Sequence, residues 1–211
     1  MIMIPKVIVQ TSRHGIPEYV VEMIKEKSPG WTYVHFSDEQ IIAFFREHPI
    51  AEFPDVIHKF YSYSYGEHRA DLFRYYYLYV KGGVYIDSDA MIEDNIENIV
   101  RDFDFFSVDA CVVDSCIFQG FIGCAPQNII MYEALKDVYS MSNADMICDF
   151  HILCKNLYGI VFNHTAECKV KLYKEQPKNE NNCYHMVDIE NNNKIVLIHY
   201  SETKVIPPIL R

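Results

Sequence analysis

Four residues combine types and spacings that could do chemistry: Asp71, Arg74, Asp87 and Asp89. Asp87 and Asp89 close the run Val84-Tyr85-Ile86 within KGGVYIDSDAMI, residues 81–92. That run has the composition of a short buried strand, and acid at the end of an apolar strand is costly unless something compensates it. Asp71 and Arg74 stand three residues apart in HRADLFRYYYLYV, so on a helix they share one face. Their neighbours Leu72, Phe73, Tyr75, Tyr76, Tyr77, Tyr79 and Val80 require that helix to be buried on most sides. A charged pair on such a helix must be paired or hold a ligand. An intrahelical salt bridge would account for Asp71 and Arg74, and a solvated turn would account for a bare DxD. Neither explains why the pair directly precedes a strand that ends in two further acids.

The elements that must position these residues follow from periodicity and punctuation. Lys6–Thr11 and Trp31–Phe36 read as strands, separated by a helix over Ile16–Lys27 that Ser28-Pro29-Gly30 ends. Ser37-Asp38-Glu39 offers an N-cap and first-turn acids for a helix reaching about His48. Pro49 and Pro54 mark a loop, a long helix spans Gly66–Lys81, and Gly82-Gly83 stops it. Further strands are expected at Asp104–Val108, Cys116–Cys124 and Lys194–His199, and helices at Asn128–Tyr139 and Cys148–Tyr158. This alternation predicts an α/β fold, with a mixed, mainly parallel central sheet flanked by helices on both faces. One domain covering 1–211 is expected, either the whole protein or one domain of a longer chain.

Composition narrows the partners. The 211 residues carry a formal charge of −10, which argues against nucleic acid, since phosphate contacts need Lys and Arg. Seven cysteines without a CxxC pair argue against a zinc site and against a disulfide framework. The opening MIMIPKVIVQ has too short an apolar run, broken by Pro5 and Lys6, to read as a signal peptide, and no run reaches the length of a membrane span. A cytoplasmic location is the corresponding expectation.

The run Asp71, Arg74, Gly82, Gly83, Tyr85, Asp87, Asp89 resembles, in register and without gaps, the pattern of GT-A glycosyltransferases that carry a DxD motif. The likeness is to the sugar-transferase family of the yeast initiating mannosyltransferase and its capsular relatives, and to the glucosyltransferase domains of clostridial toxins. Beyond this run the likeness thins. Ile4–Thr11 is similar to the family's opening strand, and Ile117–Gln127 to a later strand that lines the sugar pocket, with Gln119 where Asn is common. Phe36 stands where Trp is usual, and His199 lies near the family's C-terminal His.

The resemblance implies a hexosyltransferase using a UDP-sugar, UDP-glucose-like, and a glycan or protein-linked acceptor, with retention of configuration. It implies that Asp89 is a direct metal ligand and that Asp87 reaches the metal through water and also the ribose. Asp71 and Arg74 would hold the donor, Tyr85 would line its pocket, and Gln10 and Thr11 would meet the base. Phe36 and Gln119 are further substrate contacts, and His199 is a candidate for the metal or the diphosphate. Two like charges about 4 Å apart repel by roughly 4 kcal/mol at an effective dielectric of 20, so acids facing a diphosphate call for Mn²⁺ or Mg²⁺ between them. The rival reading is a non-catalytic nucleotide-sugar or carbohydrate-binding module of the same fold. A phosphatase with a DxD nucleophile is disfavoured, because Ala90 and Met91 follow the motif and it lies well into the chain.

Overall fold

The structure is a computed structural model and describes residues 3–200. Residues 1–2 and 201–211 of the expected domain lie outside it. In chain order, β1 (Val7–Thr11), α1 (Glu18–Lys27), β2 (Thr32–Phe36), α2 (Asp38–Glu47), α3 (Val56–Ser62) and α4 (Gly66–Lys81) form the first half. Then come β3 (Gly83–Ile86), β4 (Ala90–Ile92), α5 (Ile96–Val100), β5 (Phe105–Asp109), β6 (Ile117–Cys124), α6 (Ile129–Ser140), α7 (Asn143–Cys148), α8 (Ile152–Asn163), β7 (Val170–Glu175), β8 (Tyr184–Asp188) and β9 (Lys194–His199). None of the described helices is long and apolar enough to cross a membrane.

The described strands form one mixed sheet in the order β2-β1-β3-β6-β5-β7-β8-β9-β4. Its parallel character resides in β2-β1-β3 and in the β5-β7 pair. The other five pairings are antiparallel. Side chains alternate between the faces, as a strand requires. Ile8, Val84, Ile86, Phe106 and Phe121 pack with Val20 and Ile24 of α1 and with Ile96 and Ile99 of α5. On the other face Val9, Tyr85, Phe105 and Ile122 pack beneath α2, α3, α4, α6 and α8. Helices therefore cover both faces.

The DSD segment is the hinge of this architecture. β3 is third in the sheet order and β4 is last, yet only Asp87-Ser88-Asp89 separates them. Six strand spacings would cover about 29 Å in a flat sheet, whereas four residue steps reach at most about 14 Å. The sheet must curl until its far edge meets its centre. Residues 87–89 are thus a corner between two strands rather than a strand end running into a loop. The closure places Ala90 opposite His199 in the β4–β9 register, which carries His199 to the acids.

Two glycines set up the corner. Gly82 caps α4 with φ 66°, and a Cβ there would meet the Pro126 nitrogen at 2.7 Å. Gly83 has φ 107°, and a Cβ would lie 2.9 Å from the Val7 carbonyl. The first permits the helix to end and the second lets β3 pass close against β1.

Candidate active site

A cleft of about 1090 Å³ opens where β1 and β3 end, and Thr11, Asp71, Arg74, Asp87, Asp89 and His199 are among its walls. Ligands collect outside the carboxyl ends of parallel strands in open α/β sheets, and β1 and β3 are such a pair. Arg74 is the centre of the arrangement. It is 5% exposed, its Nη2 donates to Asp87 Oδ1 at 3.1 Å, and it faces Asp71 Oδ1 at 3.4 Å. Its guanidinium lies over the Tyr85 ring at 4.4 Å, and the Tyr85 hydroxyl shares a 2.7 Å hydrogen bond with Thr11 Oγ1. Five residues from β1, α4, β3 and the corner, Thr11, Asp71, Arg74, Tyr85 and Asp87, thus form one connected chain of polar and cation–π contacts.

One guanidinium serves two carboxylates, and the electrostatics reflect that. Burial pushes the Asp71 carboxyl up to about 6, although Arg74 and, when protonated, His68 pull it down, and the charges of Asp87 and Glu67 add to the rise. Burial opposes the charge on Arg74, but Tyr85, Asp87 and Asp71 together keep it firmly protonated. Asp89 faces His199 Nε2 at 3.6 Å, an ion pair rather than a hydrogen bond. Burial pulls the His199 imidazole down, but Asp89, Asp87 and Glu175 raise it overall, while His199 and Arg74 hold Asp89 below the usual carboxylate range against burial.

Gln10 and Phe36 reach the site only indirectly. Gln10 is fully buried, accepts from the Tyr33 hydroxyl at 2.8 Å and donates to the Asp87 carbonyl at 3.1 Å. Its amide fixes the backbone of the corner and does not line the cleft. Phe36 is held among Phe44, Phe73 and Tyr77, with ring centroids 4.9–5.8 Å away. Gln119 does line the cleft and donates to Cys154 Sγ at 3.4 Å, and its Oε1 has no partner among the described residues.

Several site residues carried no sequence signal. Gly120 on β6 lies against the corner: a Cβ there would sit 2.4 Å from Asp87 Oδ2, and the Gly120 carbonyl accepts from the Asp87 N–H at 2.8 Å. Glu175 is buried and accepts from the Cys111 N–H at 2.8 Å at the cleft's far wall. Among the described residues five buried side-chain polar atoms lack both a hydrogen-bond and an ion-pair partner, and four of them, on His68, Arg74, Gln119 and His199, belong to residues lining this one cleft. Buried polar groups are nearly always satisfied, so their concentration here makes this cleft the candidate site.

A curled α/β sheet with an acid pair at its central corner and an Asp–Arg pair on the preceding helix defines a class: the chain resembles DxD-containing glycosyltransferases of the GT-A type. More particularly, residues 17–106 match the glycosyltransferase sugar-binding region containing DXD motif, a span that holds Asp71, Arg74, Tyr85, Asp87 and Asp89 but not Gln119 or His199. Over 103 residues the chain is 34% identical to mannosyl phosphorylinositol ceramide synthase CSH1 of Saccharomyces cerevisiae, covering 47% of this chain and 26% of that protein. Over 90 residues it is 38% identical to inositol phosphoceramide mannosyltransferase 3 of Schizosaccharomyces pombe, covering 41% and 24%. The matches span about a quarter of the length of these relatives. The PaToxG glycosyltransferase shares the fold, with a TM-score of 0.52 at 12% identity over 77% of this chain and 70% of that one.

Proposed function

We propose that the chain is a metal-dependent glycosyltransferase that moves a hexose from a nucleotide-diphosphate sugar, a UDP-hexose, to a glycan or protein-linked acceptor with retention of configuration. The observation that carries the reading is the meeting, in one cleft, of the Arg74-centred carboxylate chain with Asp89 and His199. The names of the yeast relatives speak for mannosyl transfer in those proteins, so a GDP-mannose arm belongs in the same test.

The residues present fit a hard divalent cation. Arg74 engages Asp87 through Oδ1, and the Asp87 and Asp89 side chains keep 27% and 37% exposure to the cleft. Oxygen ligands of this kind suit Mn²⁺ or Mg²⁺, which bind through one or two carboxylates plus substrate phosphates. Among the described residues no group of three His, Cys, Asp or Glu side chains is placed to hold a cation by itself. When bound, such an ion supplies Lewis acidity to the departing diphosphate.

The chain's own residues do the remaining work. Asp89, which pairs with His199 rather than directly with Arg74, would be the direct ligand, and Asp87, hydrogen-bonded to Arg74, would orient the ribose side. Asp71 and Arg74 hold donor hydroxyls, with Arg74's charge already balanced by two acids so that it recognises by geometry. Thr11 and Tyr85 shape the nucleotide end, and Gln119 offers its unpartnered Oε1 to the sugar. Attack on the same face as the departing diphosphate needs no protein nucleophile.

Titration of UDP with and without EDTA in the presence of Mn²⁺ tests the reading. Affinity falls at least tenfold on chelation, about 1.4 kcal/mol; equal affinities would show that Asp87 and Asp89 hold no metal. Hydrolysis of UDP-glucose, UDP-galactose and GDP-mannose, followed by NMR, then separates a transferase from a pure binder, which turns over none of them.

A further inference from the structure

The cleft extends beyond the acid corner. Pockets for a single ligand usually run about 300–1,000 Å³, and this one, at about 1090 Å³, has room for a second group beside a nucleotide sugar. Its outer wall is aromatic. Phe150, in the link between α7 and α8, is 45% exposed and lines the cleft together with His68 of the first turns of α4. The two rings lie 5.0 Å apart at 41°, and Tyr65, 44% exposed, meets both edge-on at 5.8 and 5.6 Å. His68 is one turn before Asp71, so the aromatic wall stands directly beside the Asp71–Arg74 pair.

His68 is 1% exposed, and its Nε2 sits 3.3 Å from the Phe150 carbonyl. A carbonyl can only accept, so Nε2 carries the proton, and in the neutral ring Nδ1 is left as an acceptor. That Nδ1 has no partner among the described residues. Exposed Phe and Tyr faces beside an unsatisfied, fully buried acceptor form a mixed surface: apolar planes with a polar point at their foot. A pyranose ring has the matching form, with a C–H face that is drawn to the negative face of an aromatic ring and hydroxyl donors around its edge. An alkyl chain would use the planes and leave Nδ1 unsatisfied.

We propose that Phe150 and His68, braced by Tyr65, form the acceptor subsite, and that it takes the face of a pyranose ring with a ring hydroxyl donated to His68 Nδ1. This rests on the donor reading of the acid corner and adds the acceptor's chemical class to it.

The test uses the full chain with Mn²⁺ and UDP, and methyl α-D-mannopyranoside as the probe, titrated by NMR. The parent binds the pyranoside, Phe150→Ala weakens it at least fivefold, and Phe150→Trp, which keeps an aromatic face, stays within twofold of the parent. Phe150 is half-exposed in a link, so the fold tolerates both variants. No pyranoside binding by the parent, or equal affinity in parent and Phe150→Ala while UDP still binds, overturns the subsite and leaves the donor reading standing. Failure of UDP to bind the parent removes the donor reading and the acceptor role with it. If 1-octanol perturbs the Phe150 and His68 resonances and the pyranoside does not, the wall is an apolar docking surface and the proposal is wrong.

Discussion

Gly120→Ala tests the geometry of the acid corner without touching an ionisable group. Gly120 has no left-handed φ, so alanine meets no backbone strain there. In a strand alanine would ordinarily stabilise by roughly 0.5–1 kcal/mol relative to glycine. Here the new Cβ would lie 2.4 Å from Asp87 Oδ2, 2.9 Å from Asp87 Cγ and 2.4 Å from Phe118 Cζ, about 1 Å short of ordinary contact. Phe118 is half-buried and can swing aside. The carboxylate cannot move 1 Å and keep its 3.1 Å bond to Arg74. Overpacking of this kind costs about 1–3 kcal/mol, so the net loss of stability falls toward the low end of that range. Turnover is more sensitive, since a displacement of about 1 Å in a reacting group can cost on the order of 10²-fold. The assay is Mn²⁺-dependent hydrolysis of a nucleotide sugar beside urea unfolding. Gly159→Ala serves as the control, because a Cβ on Gly159 in α8 meets nothing within 4 Å, and it stabilises by up to about 1 kcal/mol. Gly120→Ala turnover within threefold of the parent would refute the claim that the position of the Asp87 carboxylate matters.

Arg74→Ala leaves Asp71 and Asp87 facing each other in a buried site and destabilises by about 3–5 kcal/mol, read by urea unfolding; a loss below about 1 kcal/mol would mean the acids are solvated after all. Arg74→Lys does not restore turnover, because an ammonium is a compact point charge without the planar face that lies 4.4 Å over the Tyr85 ring. Asp71 has a folded value raised to about 6 against about 3.9 unfolded, so the folded state binds the extra proton between these limits. Its contribution to stability is full below about pH 4 and is lost as pH rises through 6. Relative to Asp71→Asn, the parent therefore gains about 1 kcal/mol on going from pH 7.5 to pH 5 in paired unfolding curves; parallel curves would contradict the raised value.

The core of the site was legible because local rules specify it. The apolar run of Leu72–Val80 forces a buried helix, Gly82-Gly83 ends it, and β3 follows with its acids, all as the sequence pattern predicts. The Ser37 N-cap is likewise seen, as a reciprocal box with Gln40. What escaped depends on distant partners. β4 is three residues long and exists because β9 pairs with it. β7 and β8 mix charged and apolar residues and become strands by pairing with β5 and β9. α3 and α7, with seven and six residues, are too short for a periodic signal. The expected helix over Cys148–Tyr158 is α8, which begins at Ile152 and runs to Asn163, because Asp149 ends α7 first. The resemblance makes Gln10 a base contact, whereas the fold buries it under the corner, where the Tyr33 hydroxyl and the Asp87 carbonyl engage its amide. Gly120 and Phe150 have no local signature, because their roles come from what lies opposite them.

The most direct test of the proposal that the acid corner holds a metal ion is a Mn²⁺ titration of nucleotide-sugar hydrolysis for the parent, Asp87→Asn and Asp89→Asn. Asp89→Asn keeps size and removes the charge that anchors a hard cation, so it stays inactive at every practical Mn²⁺ concentration. Asp87→Asn is milder and partly rescued by added Mn²⁺, because an amide oxygen can still accept from a water, a ribose hydroxyl or Arg74. If Asp87→Asn is the variant that Mn²⁺ cannot rescue, the two roles are reversed. If both variants hydrolyse the donor as the parent does, the corner holds no cation and the glycosyltransferase reading falls.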